Sequence, residues 1–285
     1  MQTFTECIPC FERQIDKLAT MVAGDDLELQ KLIKKECREI IRQTDTNYPP
    51  PELAARIYAQ AANVTGQNDF FAQHKYTANT QVLDLLPRLE KNIQASPDRL
   101  LTALRFSLIA NYIDVGVDGD FDWEAALSQE KAQEKMGGYS KLCQLLNTDQ
   151  SRVMILGDNA GEIGMDTLLV KQLQTLGAEV TYVVRGKPIL NDATMEDAQF
   201  VGMDRLCRVI SSGVDSPGTL LSRCHPDFLQ ELHAAPIVIS KGQGNFESLH
   251  GRLPGTFFAL KVKCPVVARL TGFTVRTSIF DQLTA

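Results

Sequence analysis

The sequence predicts an α/β protein: a mainly parallel, Rossmann-like sheet with flanking helices, preceded by an all-α subdomain. Three observations carry that prediction. From Phe4 to about Gln150, apolar residues recur at helical spacing and no alternating strand pattern interrupts them. Arg152 to Glu162 then reads as a β-rich run, a glycine-flanked acidic turn and the start of a helix. Ile163, Leu168, Leu169 and Leu173 continue that helix, and Gly177 is placed to stop it. Glu179 to Val184 is a second β-rich run, and a strand, a helix of about four turns and another strand imply a right-handed parallel crossover. The expected division is a helical subdomain over 1–135 and an α/β domain over 136–285. Its junction lies at the charged segment Ser128 to Lys135 and Gly137-Gly138.

Composition narrows the function classes. With 285 residues, 44% hydrophobic and 22% charged, the chain can bury a sizeable core and is not disordered. A net charge of -6, without a basic block interleaved with aromatics, argues against a nucleic-acid partner. An anionic ligand would need a local cation. No apolar run reaches membrane-spanning length, and Met1 to Arg13 lacks a basic region followed by an apolar stretch, so the expectation is a cytoplasmic protein with no membrane partner. Seven scattered cysteines fit reduced thiols better than a disulfide framework. Neither internal repeats nor low-complexity segments occur.

In chain order, Cys7-Ile8-Pro9-Cys10 opens the first helix, because proline is tolerated in a first turn. A lone CxxC lacks the second ligand pair of a structural zinc site and the preceding strand of a thioredoxin-like motif. Buried or incidental thiols are the plainer reading. Leu27 to Gln43 is a second helix, Tyr48 to Pro51 an extended break, and Glu52 to Val64 a third helix. A helix running to about Leu86 follows Asp69-Phe70-Phe71, and it carries Lys75 as an expected surface residue. Ser96-Pro97-Asp98 starts another helix, which ends in Asn111 to Gly116. Asn111 and Asp114, three apart, share one helical face and are either a helix-end hydrogen-bond device or a wall of a site.

The α/β half holds the chemistry. In a parallel sheet the loops leaving the strands' carboxyl ends line the ligand crevice, which places Asp158 and Asn159 in a site. Their oxygens suit a hard cation such as Mg²⁺ or Mn²⁺, although Asp158 could instead cap the next helix. The loop Arg185 to Thr194 brings Asp192 to the same edge. Two such carboxylates repel unless positive charge lies between them, although Asn191-Asp192 could also be a turn and cap. Further strands are expected at Arg208 to Ile210 and Pro236 to Ser240, with a helix over Pro226 to His233 between them. Lys241-Gly242-Gln243-Gly244-Asn245-Phe246-Glu247 then offers backbone amides and a point charge, in outline a phosphate cradle. Cys264 to Leu270 is the expected closing strand, at an edge because of Pro265. The four histidines are not clustered.

Three motifs, Gly157-Asp158-Asn159-Ala160-Gly161-Glu162, Asn191-Asp192-Ala193-Thr194 and Lys241 to Glu247, occur in an order that resembles the damage-control metal-dependent phosphatases, formerly domain of unknown function 89. Cys7 and Cys10, the Pro49-Pro50 break, Lys75 and Asn111 to Gly116 resemble the prokaryotic branch with an N-terminal CxxC. The resemblance implies a divalent metal (magnesium, manganese, nickel or cobalt) held by Asp158, Asn159 and Asp192, and a phosphate-contacting Lys241. Gly242, Gly244, Asn245, Glu247, Glu162, Asn111 and Asp114 fall on the substrate side. The implied activity is hydrolysis of a small phosphorylated metabolite such as a sugar phosphate by metal-activated water, with Asp158, Asn159 and Lys241 as the catalytic set. An aspartyl phosphate on Asp158, methyl transfer from S-adenosylmethionine to a carboxyl group, and noncatalytic metabolite binding are the alternatives.

Overall fold

The computed structural model describes residues 1–43, 45, 47–110, 134–147 and 151–284, so Asn111, Asp114 and most of the Ser128 to Lys135 junction lie outside the described residues. One sheet contains β1 (Arg152–Leu156), β2 (Glu179–Val184), β3 (Arg208–Ser211), β4 (Ile237–Lys241), β5 (Phe257–Lys261) and β6 (Ser278–Gln282). Their spatial order is β3-β2-β1-β4-β5-β6. β1 to β5 run parallel, and β6 pairs antiparallel with β5. The order reverses between β1 and β4, so the loops leaving those strands part to opposite faces and open a crevice there.

The central strand β1 is apolar on both faces because helices cover both. Val153 and Ile155 of β1 share a core with Tyr182, Ile239 and the helical residues Leu104 and Leu169. Met154 and Leu156 point the other way, to Val238, Phe246 and Phe258. The α7 helix (Glu162–Thr175) on the first face is itself covered by α4 (Ala72–Ala95) and α5 (Arg99–Ile109), through Val82, Phe106, Met165 and Leu168. Opposite lie α9 (Pro226–Ala234), α10 (Gln243–Leu249) and α11 (Pro265–Thr271), while α6 (Tyr139–Leu146) and α8 (Met195–Val201) flank the first core.

A third core joins α1 (Ile8–Ala23), α2 (Leu27–Gln43) and α3 (Pro50–Thr65) through Phe11, Ile15, Ile33 and Ile57, and it takes in Ile189 and Leu190 from the loop after β2. The helical half thereby roofs the carboxyl edge of the sheet.

Three expectations are corrected. Cys264 to Leu270 is not a strand: Pro265 opens α11, and Val266 and Val267 turn inward. A short apolar run has no period that separates strand from helix, and proline suits a first helical turn. The sheet instead closes with β5 and β6. The helix carrying Lys75 continues past Leu86, through Pro87, to Ala95. Lys75 itself is 4% exposed, with its ammonium 3.0 Å from Asp69 and 3.3 Å from Asp197.

Candidate active site

Gly157 follows β1 and keeps to the ladder, its N–H donating to the Val183 carbonyl at 2.9 Å. The next two residues therefore emerge at the crevice. Asn159 and Asp192 form an antiparallel bridge: the Ala160 N–H donates to the Asn191 carbonyl and the Ala193 N–H to the Asp158 carbonyl, both at 2.8 Å. Backbone pairing thus brings together the two aspartates that lie more than thirty residues apart in sequence. Both are buried, Asp158 at 8% and Asp192 at 2% exposure. Burial raises both carboxyl pKa values; for Asp158 the neighbouring Asp192 adds to the rise and Arg185 opposes it.

Positive charge does lie between them, and it belongs to the chain. Arg185 leaves β2 and donates from Nε to Asp192 Oδ2 at 2.7 Å, and from Nη1 to Thr219 Oγ1 and Asn245 Oδ1 at 3.2 Å each. Its Nη2 stands 3.7 Å from Asp158 Oδ1 and, although buried, has no hydrogen-bond partner. Carboxylate repulsion alone therefore does not demand a bound cation. Sequence reasoning passed over Arg185 as a loop residue; the available signal was a cation at the head of the segment that ends in Asp192.

Lys241 departs further from expectation. It is fully buried, ion-paired with Glu162 and, at 2.8 Å, with Asp166, and it also donates to the Ser107 carbonyl at 3.3 Å. Burial works against its charge, but Asp166 and Glu162 outweigh that and hold its pKa above the usual lysine range. Ser107 and Tyr182 donate to the two oxygens of Asp166 at 2.5 and 2.7 Å. Asn159 links this network to the site by donating from Nδ2 to Asp158 at 3.0 Å and to Glu162 at 3.4 Å.

Gly242 is likewise scaffold. The Gly242 N–H donates to the Ala259 carbonyl at 2.9 Å, so that amide is spent within the fold. A Cβ on Gly242 would stand 1.9 Å from Asp158 Oδ2, and φ is +78° there. The glycine admits the carboxylate. Asn245 ties the three segments together, donating to the carbonyls of Gly157 and Lys241 and accepting from Thr219.

Asp158, Asn159, Asp192, Gly244 and Glu247 line one cavity of about 340 Å³. Lys263, Cys7, Cys10 and Cys264 share its walls, whereas Glu162, Lys241, Gly242 and Asn245 stand behind it. Lys263 is the cation on that wall, and sequence reasoning missed it because β5, which precedes it, was not recognised. Glu247 has its pKa pushed up to about 7, chiefly by burial. A second cavity, about 480 Å³, shares only Leu190 with the first and contains none of the predicted residues. Leu190 holds φ at +47°, a strained value for a non-glycine residue.

Among the described residues, no three His, Cys, Asp or Glu side chains gather as a metal site. The donor set on offer is two carboxylates and the Asn159 amide, which suits a hard ion that keeps several waters.

The sequence profile of the damage-control phosphatase ARMT1-like domain matches residues 3–279. The chain belongs to that family. Among damage-control phosphatases, that of Archaeoglobus fulgidus is 29% identical over 94% of this chain and 95% of its own length. That of Pyrococcus horikoshii is 27% identical over 94% of each chain. An uncharacterized protein of Methanocaldococcus jannaschii is 29% identical over 96% of this chain and 93% of its own. The crystal structure of a DUF89 family protein from P. horikoshii superposes with a TM-score of 0.90 at 24% identity, covering both chains completely, so the fold is that of the family.

Proposed function

We propose that this chain is a metal-dependent phosphatase acting on phosphomonoesters of small metabolites, sugar phosphates among them. One observation carries the reading: Asp158 and Asp192 are clasped side by side at the wall of a cavity that also presents Lys263. Asp158, Asn159 and Asp192 would hold a divalent cation such as Mn²⁺, Mg²⁺, Ni²⁺ or Co²⁺. When bound, that ion supplies Lewis acidity toward a phosphoryl oxygen and a more acidic water.

The rest is work for the chain's own residues. Arg185 opposes the burial that raises the paired carboxyl pKa values, and it does so without lining the cavity. Lys263 offsets the charge of an incoming phosphate, which a chain of net charge -6 would otherwise repel. Glu247, titrating near neutral pH on the cavity wall, can deliver a proton to the departing oxygen. Lys241 holds Glu162 and Asp166 in place; that positioning role replaces direct phosphate contact in this reading. The names of the archaeal relatives favour phosphate release over methyl transfer.

The test is release of phosphate from a generic aryl phosphate in the presence of each divalent ion. Asp158→Asn and Asp192→Asn should each lower metal-stimulated turnover by ~100-fold or more while the protein stays folded, because losing a ligand costs at least what losing its outer-shell partner does. Wild-type turnover in either variant would reject the assignment.

A further inference from the structure

Two thiols with no part in the proposed reaction face the same cavity as the aspartates. Cys7 and Cys10 open α1, with Pro9 in its first turn, and both line the 340 Å³ cavity that contains Asp158 and Asp192. Cys7 sits at φ -76° and ψ -28°, so the helical turn runs unbroken through it to Cys10. Residues three apart on such a turn have their Cβ atoms about 5–6 Å apart. A disulfide needs about 4 Å between Cβ atoms and tolerates a Cα separation of up to about 6.8 Å. Only a small adjustment, in the frayable first turn, separates the two geometries.

We propose that Cys7 and Cys10 are an oxidisable dithiol in the wall of this cavity, which reacts with small disulfides of the glutathione class and closes into an intramolecular disulfide. The inference does not rest on the phosphatase reading. Cys10 is exposed, with Gln14 donating to its sulfur at 3.7 Å, and is the attacking thiol. Cys7 is half-buried and burial raises its thiol pKa, so the exposed Cys10 attacks first, and Cys7 acts second on a mixed disulfide held beside it in the same turn.

The Cys10 thiolate attacks one sulfur of the small disulfide. That S–S bond breaks, one thiolate leaves, and a mixed disulfide forms on Cys10. The Cys7 thiolate then attacks the Cys10 sulfur and expels the second thiolate. The protein gives up two electrons, the small disulfide becomes two thiols, and the two cysteine protons end on them. Cys264, across the cavity at the start of α11, is the rival partner.

The experiment treats the full chain with oxidised glutathione, quenches by alkylation and maps the thiols by mass spectrometry. The expected result is loss of both Cys7 and Cys10 thiols to one bond between them, reversed by dithiothreitol, ahead of Cys143 and Cys207. Cys7→Ser should stop at a glutathione adduct on Cys10, and Cys10→Ser should leave Cys7 reduced. Serine is favourable at the helix start and Cys10 is exposed, so both variants fold. A bond between Cys7 and Cys264, a lasting glutathione adduct on the wild type, or reaction no faster than at Cys207 would each overturn the proposal.

Discussion

Lys241 carries its charge to a place that water does not reach, between Glu162 and Asp166. Its residue type and position after β4 suggested an anion contact, but two carboxylates from α7 reach it first. Removing one member of a buried ionic cluster leaves the others uncompensated, at a cost of about 3–5 kcal/mol. Lys241→Met should therefore lower stability by about that much in urea denaturation near pH 8. The loss should shrink toward pH 5, because Glu162, already raised by burial, then takes up a proton. A variant that is wild-type in stability but inactive would restore Lys241 to the phosphate. Arg185 teaches the converse: its charge, set between Asp158 and Asp192, answers a repulsion that residue types alone assigned to a bound ion.

Among the elements, the loop joining β4 to α10 has the least tolerance. Gly242 passes so close to Asp158 that any side chain collides with the carboxylate, and its φ of 78° with ψ of 163° is a glycine-only backbone conformation costing roughly 1–3 kcal/mol for an L-residue. Gly242→Ala should weaken Mn²⁺ binding ~10- to 100-fold by displacing Asp158, read by calorimetric titration; unchanged affinity would mean that the carboxylate has room to move aside. Element type was legible where a long periodic pattern was capped, as in α2, found with its predicted ends at Leu27 and Gln43. It was not legible at α11, where seven residues give too few turns for a period to appear.

Across the molecule, burial of carboxyl groups sets the response to pH. Asp158, Asp192, Glu162 and Glu247 all have folded-state pKa values above the ordinary carboxylate range. At these four groups the folded state binds protons more tightly than the unfolded chain, so their contribution to stability is fully present at low pH and is lost as pH rises through about 4 to 7. The cation-free protein should melt at a lower temperature near pH 8 than near pH 5, and Glu247→Gln should recover up to about 3 kcal/mol of the difference. Added Mn²⁺, which binds the ionised carboxylates, should stabilise more at pH 8 than at pH 5. A melting curve flat with pH would remove the electrostatic account. The sequence by itself determined the strand-loop-helix units, the helical half and the pair of acidic loops, because period, capping and loop chemistry are local properties of the chain. Tertiary structure alone decided which charges answer one another and what faces the cavity: Arg185 between the aspartates, Lys241 sealed behind them, and Lys263, Cys7 and Cys10 on the cavity wall. Those partnerships depend on the strand order and on which loops the helical roof covers, and no local pattern along the chain encodes distances across a sheet.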